Sequence, residues 1–222
     1  DLGSVTEIGN NFLRGCTNLE TIDVGSLTNL ETVGDYFLAE NVNLSELDNR
    51  CALSKLQTIG NYFLWKCAIQ SFDISCWDSL DTIGDNFMND CPNLEEIILE
   101  EGINNIGKDF LKGCPLLEEL DLSQLGELQH VGSGLLASCE GIKKILLPIV
   151  DGNVPTLDGW GNNIGSNNDL NYVELDCSNK ENKEKYLGDS GSNWKNLEPG
   201  SNKYVDWTPA AKNRIIYYDK VY

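Results

Sequence analysis

The 222 residues carry 16 basic and 35 acidic side chains and a formal net charge of −19 at pH 7, which repels nucleic-acid phosphates and anionic membrane surfaces. No stretch approaches 18 consecutive apolar residues, and the N-terminus has no charged start followed by an apolar run, so neither a spanning helix nor an export signal is read here. Nucleic acid as a partner and membrane insertion of this segment are excluded on these grounds.

Leu2, Val5 and Ile8 repeat the spacing of Leu27, Leu30 and Val33, the closing half of a unit. The chain is therefore expected to start within a repeat, with an upstream segment completing it and carrying an export signal or anchor. From there an Ile/Val-Gly pair recurs at residues 8, 33, 59, 83, 106 and 131, in steps of 25, 26, 24, 23 and 25. Self-similarity at this spacing means a solenoid of leucine-rich-repeat length, growing along one axis.

Within the first unit, Phe12, Leu13 and Cys16 have the spacing of one helical face. Ile22 and Val24 instead alternate with polar Thr21 and Asp23, as a half-buried strand does. Each unit is expected to be a short helical turn followed by a short strand. The strands fall at 20–24, 45–49, 70–74, 95–99, 118–122 and 143–147 and stack in parallel, neighbours roughly 4.8 Å apart. The glycine after each Ile/Val suits a tight backbone turn that a side chain would obstruct.

The cysteines fall into register. Cys16, Cys67, Cys91, Cys114 and Cys139 each stand eight residues after the Ile/Val-Gly start, and Asn41 holds that slot in the second unit. Small groups that hydrogen-bond nearby backbone make this a buried, reduced structural spine. No two cysteines lie within four residues of each other, which argues against zinc, and no metal or cofactor is expected. Cys51, Cys76 and Cys177 form a second, partial ladder. Cys51 and Cys76 are within disulfide reach by distance, but side chains of a ladder point in parallel, which weighs against a bond.

The unit Ile-Gly-x-x-Phe-Leu-x-x-Cys-x-x-Leu-x-x-Ile-x-Val/Leu resembles the BspA-like leucine-rich repeat of bacterial cell-surface proteins, with Phe-Leu (Phe12-Leu13, Phe63-Leu64, Phe110-Leu111) in place of Ala-Phe. The resemblance implies an α/β solenoid: a right-handed leucine-rich-repeat superhelix with a parallel concave β-sheet and short helical turns on the convex side. It assigns 1–147 to about six repeats, the first incomplete, and 148–197 to a degenerate last repeat and C-terminal cap. In that region Trp160-Gly161-Asn162-Asn163-Ile164 echoes the unit's start, Asn167 takes the Cys slot, and Leu170, Val173 and Leu175 supply a seventh strand. Ser178 caps a helix over 179–187 closed by Gly188. The tail, 198–222, lies outside the pattern and adds edge strands or begins a following region.

Chemistry is sparse. His130 is the single histidine, without a nucleophile or orienting partner at a recognisable offset, so no catalytic set is expected. Gly132-Ser133-Gly134-Leu135-Leu136-Ala137 matches a loose dinucleotide fingerprint only as a variant of the repeat. The strongest signal is the outward strand position, held by Asp23, Asp48, Asp73, Ile98, Asp121, Leu146 and Glu174. Glu46, Glu96 and Glu119 stand nearby. Like charges one rung apart repel by roughly 1 kcal/mol per pair in water, and a basic protein partner or a divalent cation such as calcium would relieve this. Ile98 and Leu146 are contact candidates amid the acids. The rival site is an aromatic platform of Trp65 and Trp77 for glycan, against which stands repair of packing in the one unit shortened between Cys67 and Ile69.

The expected protein is non-enzymatic and extracellular or cell-surface, outer-membrane associated or secreted. Family resemblance implies adhesion to host or neighbouring-cell proteins, with a carbohydrate-binding module and a cell-envelope spacer as alternatives.

Overall fold

The computed structural model describes residues 2–148 and 155–157, together with strands at 173–176, 205–206 and 214–218. Each repeat contributes two strands to a parallel β-solenoid. The two-residue strands are β1 (Glu7–Ile8), β3 (Thr32–Val33), β5 (Thr58–Ile59), β7 (Thr82–Ile83), β9 (Asn105–Ile106), β11 (His130–Val131) and β13 (Thr156–Leu157). They run uninterrupted as one seven-stranded parallel sheet in that order. The longer strands are β2 (Thr21–Asp23), β4 (Glu46–Asp48), β6 (Ser71–Asp73), β8 (Glu96–Ile98), β10 (Glu119–Asp121), β12 (Lys144–Leu146) and β14 (Val173–Asp176). The tail adds β15 (Val205–Asp206) and β16 (Arg214–Tyr218), with β16 parallel to β14 and β15 antiparallel to β16.

The expected helical turns are absent. Over the Phe-Leu segment every second residue has a positive φ: Tyr36, Leu38 and Glu40; Tyr62, Leu64 and Lys66; Asn86, Met88 and Asp90. A helix needs consecutive right-handed residues, and here the N–H groups of the left-handed residues, two apart in the chain, point alternately up and down the solenoid axis. Thus Tyr36 N donates to Asn61 O of the next rung, Leu38 N to Phe12 O of the previous one, and Glu40 N to Trp65 O of the next. Side chains at i, i+1 and i+4 still reach the core, which is why the spacing mimics a helical face. Left-handed non-glycine residues cost of order 1–3 kcal/mol each and persist where surrounding bonds over-determine them.

The cysteine ladder accounts for those bonds. Cys67 donates to the carbonyl of Leu38 (3.2 Å), Cys91 to Leu64 (3.2 Å), Cys114 to Met88 (3.3 Å) and Cys139 to Leu111 (2.9 Å). Every acceptor belongs to a left-handed residue of the preceding rung. Asn41 substitutes with its amide, bonding the carbonyls of Leu13 (3.0 Å) and Leu38 (2.8 Å). Beneath them Phe12, Phe37, Phe63, Phe87 and Phe110 stack at centroid separations of 5.3–5.4 Å. Leu, Ile and Val from both sheets close the core.

The recurrent glycine answers a stacking requirement. A Cβ on Gly84 would lie 2.6 Å from the carbonyl carbon of Gly60, and one on Gly60 would lie 2.6 Å from that of Gly34. Gly9, on the first rung, has nothing within 4 Å. The next residue forms a further ladder that the motif reading passed over: Asn10, Asp35, Asn61 and Asp85 each accept the backbone N–H of the following rung's equivalent at 2.7–2.8 Å.

The longer-strand ladder breaks twice, after β4 and after β8. Connectors of eight residues follow β2, β6 and β10 (24–31, 74–81, 122–129), and their first residue donates to the next rung: Val24 to Asp48 O, Ile74 to Ile98 O, Leu122 to Leu146 O. After β4 the connector has nine residues (49–57) and opens on Asn49 at φ 55°. Arg50 supplies the missing donor there, its Nε bonding Asp73 O, while Trp77 Nε1 bonds Arg50 O at 2.9 Å.

A Cys51–Cys76 disulfide closes the same break, contrary to the expectation from parallel ladder vectors. Cys51 sits in the 3-10 turn Arg50–Leu53, which re-aims its side chain, and the two Cα atoms are 5.3 Å apart.

Two outcomes are expected. Gly84→Ala lowers stability by about 1–3 kcal/mol through overpacking, whereas Gly9→Ala stays within about 0.5 kcal/mol, both read by denaturant melts. Removing the 25-residue disulfide loop as Cys51→Ser/Cys76→Ser lowers stability by about 3 kcal/mol on the loop-entropy model, and reductant lowers the wild type to match while leaving the variant unmoved.

Candidate functional site

Period-2 alternation places the first and third residues of each longer strand on the solvent face and the middle one in the core. Register aligns Asp23 with Asp48, Glu46 with Thr21, Glu96 with Ser71, Ile98 with Asp73, and Glu119 and Asp121 with Lys144 and Leu146. These side chains are exposed or half-buried, so the proposed row forms one face. Glu174 pairs with Lys144, two positions earlier than expected, and Asp176 stands opposite Leu146. Asn167, Trp160 and the 179–187 helix lie outside the described residues.

Much of the acidic row has a backbone role. Asp23 accepts the Gly25 amide at 2.7 Å, Asp73 that of Ser75 at 2.9 Å, and Asp121 that of Ser123 at 2.8 Å. These are Asx turns that launch the eight-residue connectors. Bonds from Asn49 and then Gly25 hold the Asp23 carboxyl below the usual range, and bonds from Ser75 do the same for Asp73. Lysines also offset part of the row, with Lys143 bridging Glu118 and Lys144 bridging Glu119. Arg50 lies 3.9 Å from Asp73.

Ile98 departs from the row because its connector does. The link after β8 has six residues (99–104), leaving no Asx turn for an Asp to accept. Bonds equivalent to those elsewhere, from the Glu118 and Glu119 amides to Glu95 O and from the Leu99 amide to Asp121 O, are not formed between β8 and β10. A cleft of about 430 Å³ opens at this seam, with Ile98 42% exposed beside Leu99 and Leu125, and Glu95, Glu96 and Asp121 around them. A second hollow of about 460 Å³ adjoins it at Gln124 and is lined by Asp78, Glu100, Glu101 and Glu127. Among the described residues, neither lining contains a Lys or Arg. The motif reading named Glu96, Ile98, Glu119 and Asp121 and missed this second hollow. The unequal connector lengths were its only signal in the sequence.

The aromatic platform does not form. Trp77 is fully buried, edge-on to Phe63 and Phe72, and fills the gap left by the shortened unit. Trp65 stays half-buried on the turn side, edge-on to Tyr62, with Lys66 over its ring at 4.4 Å. Tyr62 stacks on Tyr36 at 4.5 Å, and Arg14 covers Tyr36 while pairing with Glu40. His130 bonds Thr156 Oγ1 through Nδ1 at 2.9 Å, tying β11 to β13. Among the described residues, no group of three or more His, Cys, Asp or Glu is arranged for a metal ion, and no helix is long and apolar enough to cross a membrane.

Two stacked parallel ladders closed by a Cys/Asn spine define a leucine-rich repeat solenoid. The sequence pattern of the BspA type leucine-rich repeat region matches residues 2–58 and 57–186 in six copies, and the chain belongs to that family. A leucine-rich repeat protein of known structure from Bacteroides ovatus ATCC 8483 is similar at 18% identity and a TM-score of 0.40. The alignment covers 78% of this chain and 53% of that one, so this chain spans about half that protein's length. Comparison with curated proteins gives no match.

Burial pushes the Cys67 thiol up to about 12 and raises Cys91 as well, whereas Cys16 is exposed. Thiolate is the reactive form. Iodoacetamide at pH 8 is therefore expected to alkylate Cys16 and to spare Cys67, Cys91, Cys114 and Cys139 until the protein unfolds, as read by peptide mapping.

Proposed function

We propose that this is a non-enzymatic repeat protein, surface-exposed or secreted, that binds a basic protein through the face carrying the longer strands. One observation carries the reading: from Thr21 to Asp121 five successive longer strands place Asp23, Glu46, Asp48, Asp73, Glu96, Glu119 and Asp121 on a single face, exposed or half-buried, without one Lys or Arg in any of these strands. Such a face raises the local concentration of cationic partners and speeds their encounter. Family membership supports a protein-interaction role, and adhesion to host or neighbouring cells is its specific form. The Cys51–Cys76 disulfide supports an oxidising compartment outside the cytosol. With Trp77 buried, the glycan reading retains only Trp65.

Binding of immobilised basic proteins of known net charge, compared at 50 and 500 mM NaCl, tests the proposal. Affinity is expected to fall at least tenfold with salt and severalfold in Glu46→Gln/Asp48→Asn. Indifference to both changes sinks it.

A further inference from the structure

We propose that the seam between β8 and β10, continued into the hollow at Gln124, is the specific docking groove for an extended polypeptide segment. The segment carries an apolar side chain flanked by lysines or arginines. This rests on the protein-binding reading and sharpens it to one place on the face.

The two ladder breaks are unlike each other. After β4, the Arg50 guanidinium supplies the missing donor, Trp77 packs beneath, and the Cys51–Cys76 bond staples the rungs. After β8 nothing comparable closes the gap, and the Leu99 amide, the Glu95 carbonyl and the Asp121 carbonyl lack their inter-rung partners. Backbone groups left without ladder partners at a strand edge are hydrogen-bonding sites for another chain.

Ile98 supplies the apolar contact, 42% exposed in the slot where Asp23, Asp73 and Asp121 form turns on their rungs. Its exposure is set by the short connector, since the core position of the same strand is filled by Ile97. The charge pattern selects the flanks. Glu118 and Glu119 are already paired with Lys143 and Lys144, whereas Glu95 at the seam and Glu100, Glu101 and Glu127 in the adjoining hollow have no cationic partner among the described residues. An apolar residue over Ile98 with basic residues reaching either way would meet carboxylates on both sides. A neutral apolar segment would leave them desolvated and unpaired, and an acidic one would be repelled.

The test is fluorescence anisotropy with a labelled ten-residue peptide bearing one leucine between two pairs of lysines, and two control peptides with leucine→aspartate or all lysines→glutamine. Tight binding is expected for the first peptide alone. Ile98→Asp should weaken it at least tenfold, Glu101→Gln/Glu127→Gln threefold to tenfold, and Glu46→Gln/Asp48→Asn on rung two less than twofold. Gln124→Lys, an exposed change at the junction of the hollows, gives an independent variant should Ile98→Asp lower the melting temperature. If the peptide binds but ignores Ile98→Asp and Gln124→Lys, the groove is overturned and only general attraction to an anionic face remains. If it fails to bind while basic proteins still bind in a manner sensitive to Glu46→Gln/Asp48→Asn, the groove is again overturned and the broader reading stands. Failure of both probes removes both.

Discussion

Everything in this molecule follows from how closely one rung must sit on the next. At the Ile/Val-Gly corner the backbones of adjacent rungs approach so nearly that a Cβ on Gly60, Gly84, Gly107 or Gly132 would lie about 2.5–2.6 Å from backbone atoms of the preceding rung. That contact sets the axial spacing, and the spacing lets each polar group find its equivalent one repeat away. Asn10, Asp35, Asn61 and Asp85 bond across the same corner. On the far side, Cys thiols and the Asn41 amide reach the carbonyls of left-handed residues one rung back. A buried polar atom without such a partner costs about 1–3 kcal/mol, so register is specified at several points around each turn.

The longer-strand side obeys a looser rule, and the differences in surface chemistry arise there. Among the described residues the short strands pair without a break, at a glycine corner from β1 to β11 and, at β13, with Asp158 in the glycine's place in the sequence. After β2, β6 and β10 a connector of eight residues accompanies an intact longer-strand pair, and after β12 one of nine residues does so too. One extra residue after β4 is accommodated by Arg50, Trp77 and a disulfide. Two fewer after β8 remove the Asx turn, expose Ile98 and open a cleft among carboxylates. The acidic residues thus divide by role: Asp23, Asp73 and Asp121 fasten turns, Glu118 and Glu119 meet lysines, and Glu95, Glu100 and Glu101 have no cationic partner among the described residues.

Several of these features were legible in the chain itself. Register of Cys16, Asn41, Cys67, Cys91, Cys114 and Cys139 identifies a buried ladder because thiol and amide are small and can donate to backbone. The alternation around Ile22 and Val24 locates the strands. The Phe-Leu segment was misread as helical because i, i+1, i+4 spacing records only which side chains face inward; alternating left- and right-handed residues satisfy it equally. Trp77 and Trp65 look alike in sequence, and only the missing residue between Cys67 and Ile69 marks Trp77 as filler. Glu174 slipped by two positions since the seventh unit has Asp158 after Leu157, where the other units have the corner glycine to count from.

The short strands at the glycine corner were not legible in the sequence, which did determine the repeat, the inward and outward alternation of the longer strand, the reduced cysteine spine and the acidic outward positions. Each is a property of one unit repeated, and periodicity reads it directly. The disulfide, the closed break after β4, the open seam after β8 and the burial of Trp77 were decided by tertiary structure. They depend on how a connector one residue longer or two shorter displaces one rung against its neighbour, and that displacement is resolved by the hydrogen bonds and packing available between rungs.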